Sequence, residues 1–334
     1  MLDRRTLLKG TAAAVAAPLL ARCGPGEAWS RDAFVRPLRS SVAVLRADAY
    51  DGRLAELVRR GLELFDLKLA GLRVVLKPNF VEFDPQGAVN THPTLIAATL
   101  EALRTLGARE VSVAEGPGHR RDTEHIVSAS GLGDALRDTR TRYVNLNADR
   151  VREVPARSRY TRLGSLYLPE TVLGADLLIS MPKLKTHHWA GVTLSMKNLF
   201  GIMPGAIYGW PKNVLHFAGI EESILDINAA LPVARFNIVD GIVGMEGNGP
   251  IQGTPRQAGL LVMGADPVAV DTTATRLMGF DPAKVRYLAE AGRFLGNLDP
   301  AAVEQRGERP ETLQQTFLPG PGFERLSVAR ASGA

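Results

Sequence analysis

Along this chain, short apolar and β-branched runs alternate with longer stretches whose apolar positions recur at the helical period. Residues 41–45 (SVAVL) and 73–76 (RVVL) read as strands, and residues 54–65 between them as an amphipathic helix. Pro93 opens a helix that runs to Leu106 after the turn at Asn90, Thr91 and His92, and Gly107 closes it. Residues 110–114 (EVSVA) form a buried-strand pattern, and further strands are predicted at 177–180, 236–239 and 260–263. Helical spacing recurs at 220–230, 268–277 and 283–291. Strand and helix in this alternation predict an α/β fold with a mostly parallel sheet and helices on both faces.

Such sheets place ligands outside the carboxyl ends of their strands, and there the chain carries polar punctuation. Lys77, Pro78 and Asn79 follow the second strand, Glu115 to His119 follow the third, Lys183, Leu184 and Lys185 follow residues 177–180, and Asp240 and Gly241 follow 236–239. The segment KLKTHHWAGVTLSMKNLFGIMPG, residues 183–205, is neither plainly helix nor plainly strand, yet it carries Lys183, Lys185, Lys197, His187, His188 and Asn198. Buried lysines are costly unless paired, so this cluster either points to water or meets anionic groups. Pro182, Gly191, Gly201 and Gly205 fix turns around it, which favours presentation to a ligand.

Two further stretches could serve such a ligand. The stretch DGIVGMEGNGPIQG (240–253) holds five glycines, whose amides can cradle a phosphate or carboxylate, or can simply connect two elements. It is neither a Walker loop nor a dinucleotide fingerprint, because the lysine and the spacing these need are missing. Asp240, Glu246 and Asn248 add oxygen ligands suited to a hard cation or a sugar. In GADPVAVD (264–271), Asp266 before Pro267 reads as a helix N-cap, and Asp271 one turn later faces either solvent or the cleft. Of six histidines, His92 reads as a turn residue and His125 as surface, whereas His119 and His187 are the preferred acid/base or metal ligands, with His216 a further nitrogen.

The first residues alter the charge picture. Arg4 and Arg5 before Leu7, Leu8 and Lys9, an eleven-residue apolar stretch over 11–21, and small residues beyond it make an export signal that resembles the twin-arginine type, with an ordinary basic signal peptide as the alternative. The apolar stretch is shorter than the ~20 residues a spanning helix needs, so no transmembrane segment is expected in the mature chain. Cys23 would be the lipidated residue of a lipoprotein, but Arg22 stands where that pattern wants a small side chain, and a cut after Ala28 fits better. Removing 1–28 takes four of the 40 basic and two of the 35 acidic residues, and the formal balance falls from +5 to +3. No basic stripe with interleaved aromatics remains, which argues against nucleic acid. A single cysteine excludes an internal disulfide and a cysteine-held iron–sulfur cluster. The chain therefore divides into a leader (1–28), one domain (40–300) and a Pro- and Gly-containing tail (301–334) that reads as loosely attached.

KPN (77–79), THP (91–93), PKLKTH (182–187), GVTLSMKNLFG (191–201), DGIVGMEGNGPIQG and GADPVAVD, in that order, resemble the bacterial and archaeal domain of unknown function family 362 over residues 42–296. Many members of that family carry a ferredoxin-like module; this chain lacks its cysteines, so that label does not transfer. A more distant resemblance is to the nickel-pincer lactate racemases: Gly118, His119 and Arg120 look like their Gly-x-His-Arg turn, and His187 with Lys197 looks like their histidine and cofactor-holding lysine. The glycine-rich lead into that lysine is replaced here by Leu194, Ser195 and Met196.

The expectation is thus an exported, periplasmic or extracytoplasmic α/β protein with a lysine- and histidine-lined cleft for a small anionic ligand or a cofactor, nucleotide-derived or metallic. It is either an enzyme on a small oxygenated acid, with isomerase-like chemistry as the resemblance implies, or a non-catalytic binding or assembly protein. A partner of a redox complex is a third reading. Its catalytic candidates are His119, His187 and Lys197; its ligand-binding candidates are Lys77, Asn79, Lys185, Lys197, Asn198, Gly247, Asn248 and Gly249; its metal candidates are His187, His216, Asp240 and Glu246. The twin-arginine translocase is the one expected protein partner.

Overall fold

A computed structural model describes residues 27–85, 88–118 and 122–328. The twin-arginine stretch, Cys23 and His119 lie outside the described residues. Twelve strands are formed among those described: β1 (Ser40–Arg46), β2 (Arg73–Pro78), β3 (Glu110–Glu115), β4 (Tyr143–Asn145), β5 (Val151–Pro155), β6 (Ser165–Pro169), β7 (Leu177–Met181), β8 (Lys183–His187), β9 (Gly191–Thr193), β10 (Arg235–Glu246), β11 (Thr254–Gly264) and β12 (Val303–Gly307). The main sheet runs β12-β1-β11-β10-β7-β2-β3-β4, with β8 and β9 attached beside β10, while β5 and β6 form a separate hairpin. Along the main path only β11 runs against its neighbours.

The predicted periods produce this sheet. In β2, Val74 and Leu76 face one apolar layer and Val75 the other; in β7, Leu177 and Ile179 oppose Leu178 in the same way. One layer is closed by the helices Leu54–Glu63 and Pro93–Thr105, the other by Ile220–Ala230 and Pro267–Leu277. Covering both faces is what a mostly parallel sheet requires. Helix starts follow their local signals: the His92 ring Nδ1 accepts from Thr94 N–H at 3.2 Å ahead of Pro93, and Asp266 accepts from Val268 and Ala269 N–H at 2.8 and 3.2 Å around Pro267.

Three segments differ from the sequence reading. Residues 183–187, undecided by pattern, form β8, hairpinned onto β9. Residues 240–246, expected within a glycine-rich loop, continue β10, so only 247–253 turn. The segment from 301 on, read as a loosely attached tail, is packed: β12 pairs in parallel with β1, and Leu313, Phe317 and Leu326 are buried in the core. Apolar residues set far apart inside a Pro- and Gly-punctuated stretch leave no period to read, yet each fills a hole in the body.

Candidate active site

The carboxyl ends of β2 and β3, the β8–β9 hairpin and the segment 195–216 enclose one cavity of about 290 Å³. Lys77 and Asn79 come from the end of β2, Glu115 from the end of β3, Lys185 and His187 from β8, Thr193 from β9, Lys197 and Asn198 from the short helix Ser195–Asn198, and Lys212 and His216 from the helix Asn213–Phe217 and its lead-in. Phe80, Trp189, Phe200, Pro211 and Ile251 supply apolar wall. Of the lining side chains described, Glu115 is the one carboxylate, against lysines 77, 185, 197 and 212.

Lys77 and Glu115 neutralise each other. Nζ lies 2.7 Å from Glu115 Oε2 and also donates to Asn198 Oδ1 at 3.0 Å and Pro78 O at 2.8 Å. The second Glu115 oxygen accepts from Gly116 N–H at 2.9 Å, and Phe80 N–H donates to Oε2 at 3.1 Å. Burial lowers the Lys77 pKa while Glu115 opposes that shift. Gly201 lies against this pair so closely that a Cβ there would collide with both charged groups, which explains the glycine.

Among the described residues the other three lysines have no carboxylate partner. Lys185 Nζ donates to the carbonyls of Val89 at 2.8 Å and Pro250 at 3.3 Å, and burial, then Lys197, hold its pKa well below the ordinary value. Lys212 Nζ donates to Asn147 Oδ1 at 2.5 Å and to Met203 O, and burial pushes its pKa down to about 7. Lys197 Nζ lies 4.1 Å from the Phe200 ring centroid and, among the described residues, donates to no acceptor. Burial, then Lys77, bring its pKa down to about 7.

Both candidate imidazoles are held as defined neutral tautomers. The N–H groups of Trp189 and Ala190 donate to His187 Nδ1 at 3.0 and 3.2 Å, which leaves the ring proton on Nε2. His216 Nδ1 lies 3.0 Å from the Lys212 carbonyl, which can only accept, so that nitrogen holds the proton and Nε2 is an open acceptor. Burial lowers both pKa values, and Lys197 lowers both further.

The lysine-bearing helix Ser195–Asn198 is fixed from behind. Asp271 Oδ1 and Oδ2 accept from Ser195 N–H at 2.7 Å and Met196 N–H at 2.9 Å, and burial raises the Asp271 pKa to about 7 against the pull of those bonds. Asp271 therefore serves the site without lining it.

The structure brings together Lys77, Asn79, Lys185, His187, Lys197, Asn198 and His216. It does not bring Gly247, Asn248 or Gly249 into the cavity, which the same stretch lines only with Pro250 and Ile251. Gly247 N–H donates to Leu318 O at 2.8 Å and Gly249 N–H to Gly247 O at 2.8 Å, so these amides are already used, and exposed Asn248 bonds to Gln252 at 3.0 Å. The proposed metal set also separates. Asp240 is ion-paired with Lys183 at 2.7 Å, accepts the Tyr50 hydroxyl at 2.8 Å and accepts His92 N–H at 3.0 Å; Glu246 accepts from Leu318 N–H at 3.0 Å. Among the described residues no group of three or more His, Cys, Asp or Glu converges to hold a metal ion. Gly118 lines the cavity, while His119 next to it lies outside the described residues.

Sequence reasoning placed Glu115 at the ligand-side strand ends without making it a site candidate, and it missed Thr193 and Lys212. Lys212 is a lone lysine in left-handed backbone, with φ of 67°, and no local pattern points to it.

The family model described as a domain of unknown function, DUF362, matches residues 74–276. A thylakoid-associated protein of Synechocystis sp. is 29% identical over 275 residues, covering 79% of this chain and 82% of that one. Among solved structures, a Thermotoga maritima protein aligns with a TM-score of 0.41 and 14% identity over 70% of this chain and 60% of its own. The lactate racemase apoprotein of Thermoanaerobacterium thermosaccharolyticum aligns with a TM-score of 0.44 and 15% identity over 73% of this chain. The chain spans 59% of that structure's length. No described helix is long and apolar enough to cross a membrane. With residues 74–276, more than half of the chain, matched by the family model, the chain belongs to the DUF362 family.

Proposed function

We propose that the cavity receives a small anionic ligand, a carboxylate or phosphate compound, and that the two neutral imidazoles handle protons on it. One observation carries this reading: three buried lysines without a carboxylate partner among the described residues face a space of about 290 Å³. Uncompensated buried cations are strongly disfavoured, and an anion in that space would relieve them. His187 offers an Nε2 proton and His216 an Nε2 lone pair, the pair of functions that proton transfer on an oxygenated acid requires. This favours an acid-processing site over a metal centre.

The test is a thermal-shift series with oxalate, malate and phosphate at matched ionic strength, together with native mass spectrometry of the protein as purified. At least one anion raises Tm, as a ligand bound only to the folded state must, and Lys197→Ala abolishes that rise. If no anion moves Tm beyond the salt control and the protein emerges empty, the reading is wrong. We further infer, from Arg4, Arg5 and the apolar stretch after them, that the chain is exported by the twin-arginine route. Replacing both arginines by lysine should leave precursor in the cytoplasm; undiminished export would refute it.

A further inference from the structure

We propose that Lys197 is a covalent amine nucleophile that forms an imine with a small 2-oxo acid held in the cavity. The proposal rests on the anion-binding reading and names the chemistry of its ligand.

Three observations support it. Of the four lysines around the cavity, Lys197 alone donates to no described acceptor: Lys77 is tied to Glu115 and Asn198, Lys185 to two carbonyls, and Lys212 to Asn147 and Met203. Its amine stands over the Phe200 ring, on a helix locked by Asp271, with its lone pair uncommitted once the proton leaves. The second observation is two orphaned polar atoms. Asn79 and Thr193 line the same cavity, are 6% and 3% exposed, and Asn79 Oδ1 and Thr193 Oγ1 are buried without a partner among the described residues. The Asn79 amide is oriented, because its Nδ2 donates at 3.2 Å to Asn198 Oδ1, an oxygen that also accepts from Lys77. Asn79 Oδ1 therefore asks for a hydroxyl or N–H from the ligand. The third is the pair of complementary imidazoles, one presenting a proton and the other a lone pair.

A 2-oxo acid meets the lysines and the imidazoles, and the carbinolamine it forms supplies the hydroxyl that Asn79 Oδ1 lacks. Its carboxylate meets the lysines, and its carbonyl carbon meets the Lys197 amine. The Nζ lone pair attacks that carbon and the C=O π pair moves to oxygen, which takes a proton from His187 Nε2. The nitrogen releases a proton to His216 Nε2, giving a carbinolamine whose new hydroxyl can donate to Asn79 Oδ1. The His216 imidazolium then returns its proton to that hydroxyl, which leaves as water while the nitrogen lone pair closes C=N, and the remaining N–H proton passes to His187 Nε2, so both imidazoles end as they began. The sum is amine plus ketone giving imine plus one water, with no oxidant or reductant. Burial beside other cations keeps a share of the Lys197 amine unprotonated near neutral pH, the condition a lysine nucleophile needs.

The experiment uses the whole protein with pyruvate and sodium cyanoborohydride, whose hydride converts the imine to a stable secondary amine. Peptide mapping should place one dominant adduct on Lys197, formed faster as pH rises through about 7 and far slower with acetone, which has no carboxylate. Lys197→Arg removes the nucleophile, so it should lose the adduct, while the thermal shift of the wild type with its best anion reports binding independently of the imine. Adducts spread over surface lysines at the same rate in wild type and Lys197→Arg would overturn the imine while leaving anion binding intact. Failure of every anion to bind the wild type would overturn the anion reading itself, wherever pyruvate attaches.

Discussion

A lysine amine taken out of water loses hydration worth several kcal/mol unless a partner compensates it, and among the described residues only Lys77 has a carboxylate partner facing the cavity. The consequence can be read in stability. The folded pKa of Lys197, about 7, lies below its ordinary 10.5, so between these values the unfolded chain holds a proton that the native protein does not. Native stability therefore gains as pH rises from about 7 to 10.5, and the full penalty is present below 7. Lys197→Met, measured without added ligand, should be more stable than the wild type below pH 7, with the advantage shrinking as pH approaches 10.5. A difference that does not vary with pH would show that the amine is not strained by burial. Sequence alone exposed part of this: lysines and histidines in one segment are unusual enough to notice, and Lys185, His187 and Lys197 do share the cavity. It could not separate Lys183, whose charge is consumed by Asp240 and Tyr50 across the sheet, because that pairing joins residues 57 and 133 positions apart.

At the scale of elements, positions of helices and strands were legible wherever apolar residues kept a period, and the site's own elements were not. In β8 every residue is buried, but alternate positions carry Lys183, Lys185 and His187, so the face that would be apolar in an ordinary strand is occupied by chemistry. The helix Ser195–Asn198 is a single turn, too short to show a period or to persist unaided. Its anchor is Asp271, which from sequence was equally a solvent or a cleft residue. Asp271→Ala would leave the buried N–H groups of Ser195 and Met196 unpaired, costing about 1–3 kcal/mol for each donor, and would release Lys197 and Asn198 from position. Chemical denaturation should show the lower stability, and anion affinity should fall with it. Full anion affinity in a destabilised Asp271→Ala protein would show that the helix does not depend on this anchor.

On the scale of the molecule, the sheet explains why the site lies where it does. β2 and β3 end side by side at one edge and deliver Lys77 and Glu115 as adjacent partners, while β8, paired with β10, carries Lys185 and His187 over the same edge. That edge was legible from the order of strands and helices. The role of the last thirty residues was not, since their attachment depends on β12 filling the outer side of β1 and on Phe317 and Leu326 entering the core. The central claim, that this edge holds an anion among partly deprotonated lysines, makes a linked demand on protons: an anion must raise the pKa of Lys197 and Lys212 from about 7. Calorimetric titration of the best-binding anion near pH 7.5, repeated in buffers of different ionisation enthalpy, measures that uptake directly. The account predicts net uptake on the order of one proton per anion bound, reduced in Lys197→Met; heats that are the same in every buffer would contradict it.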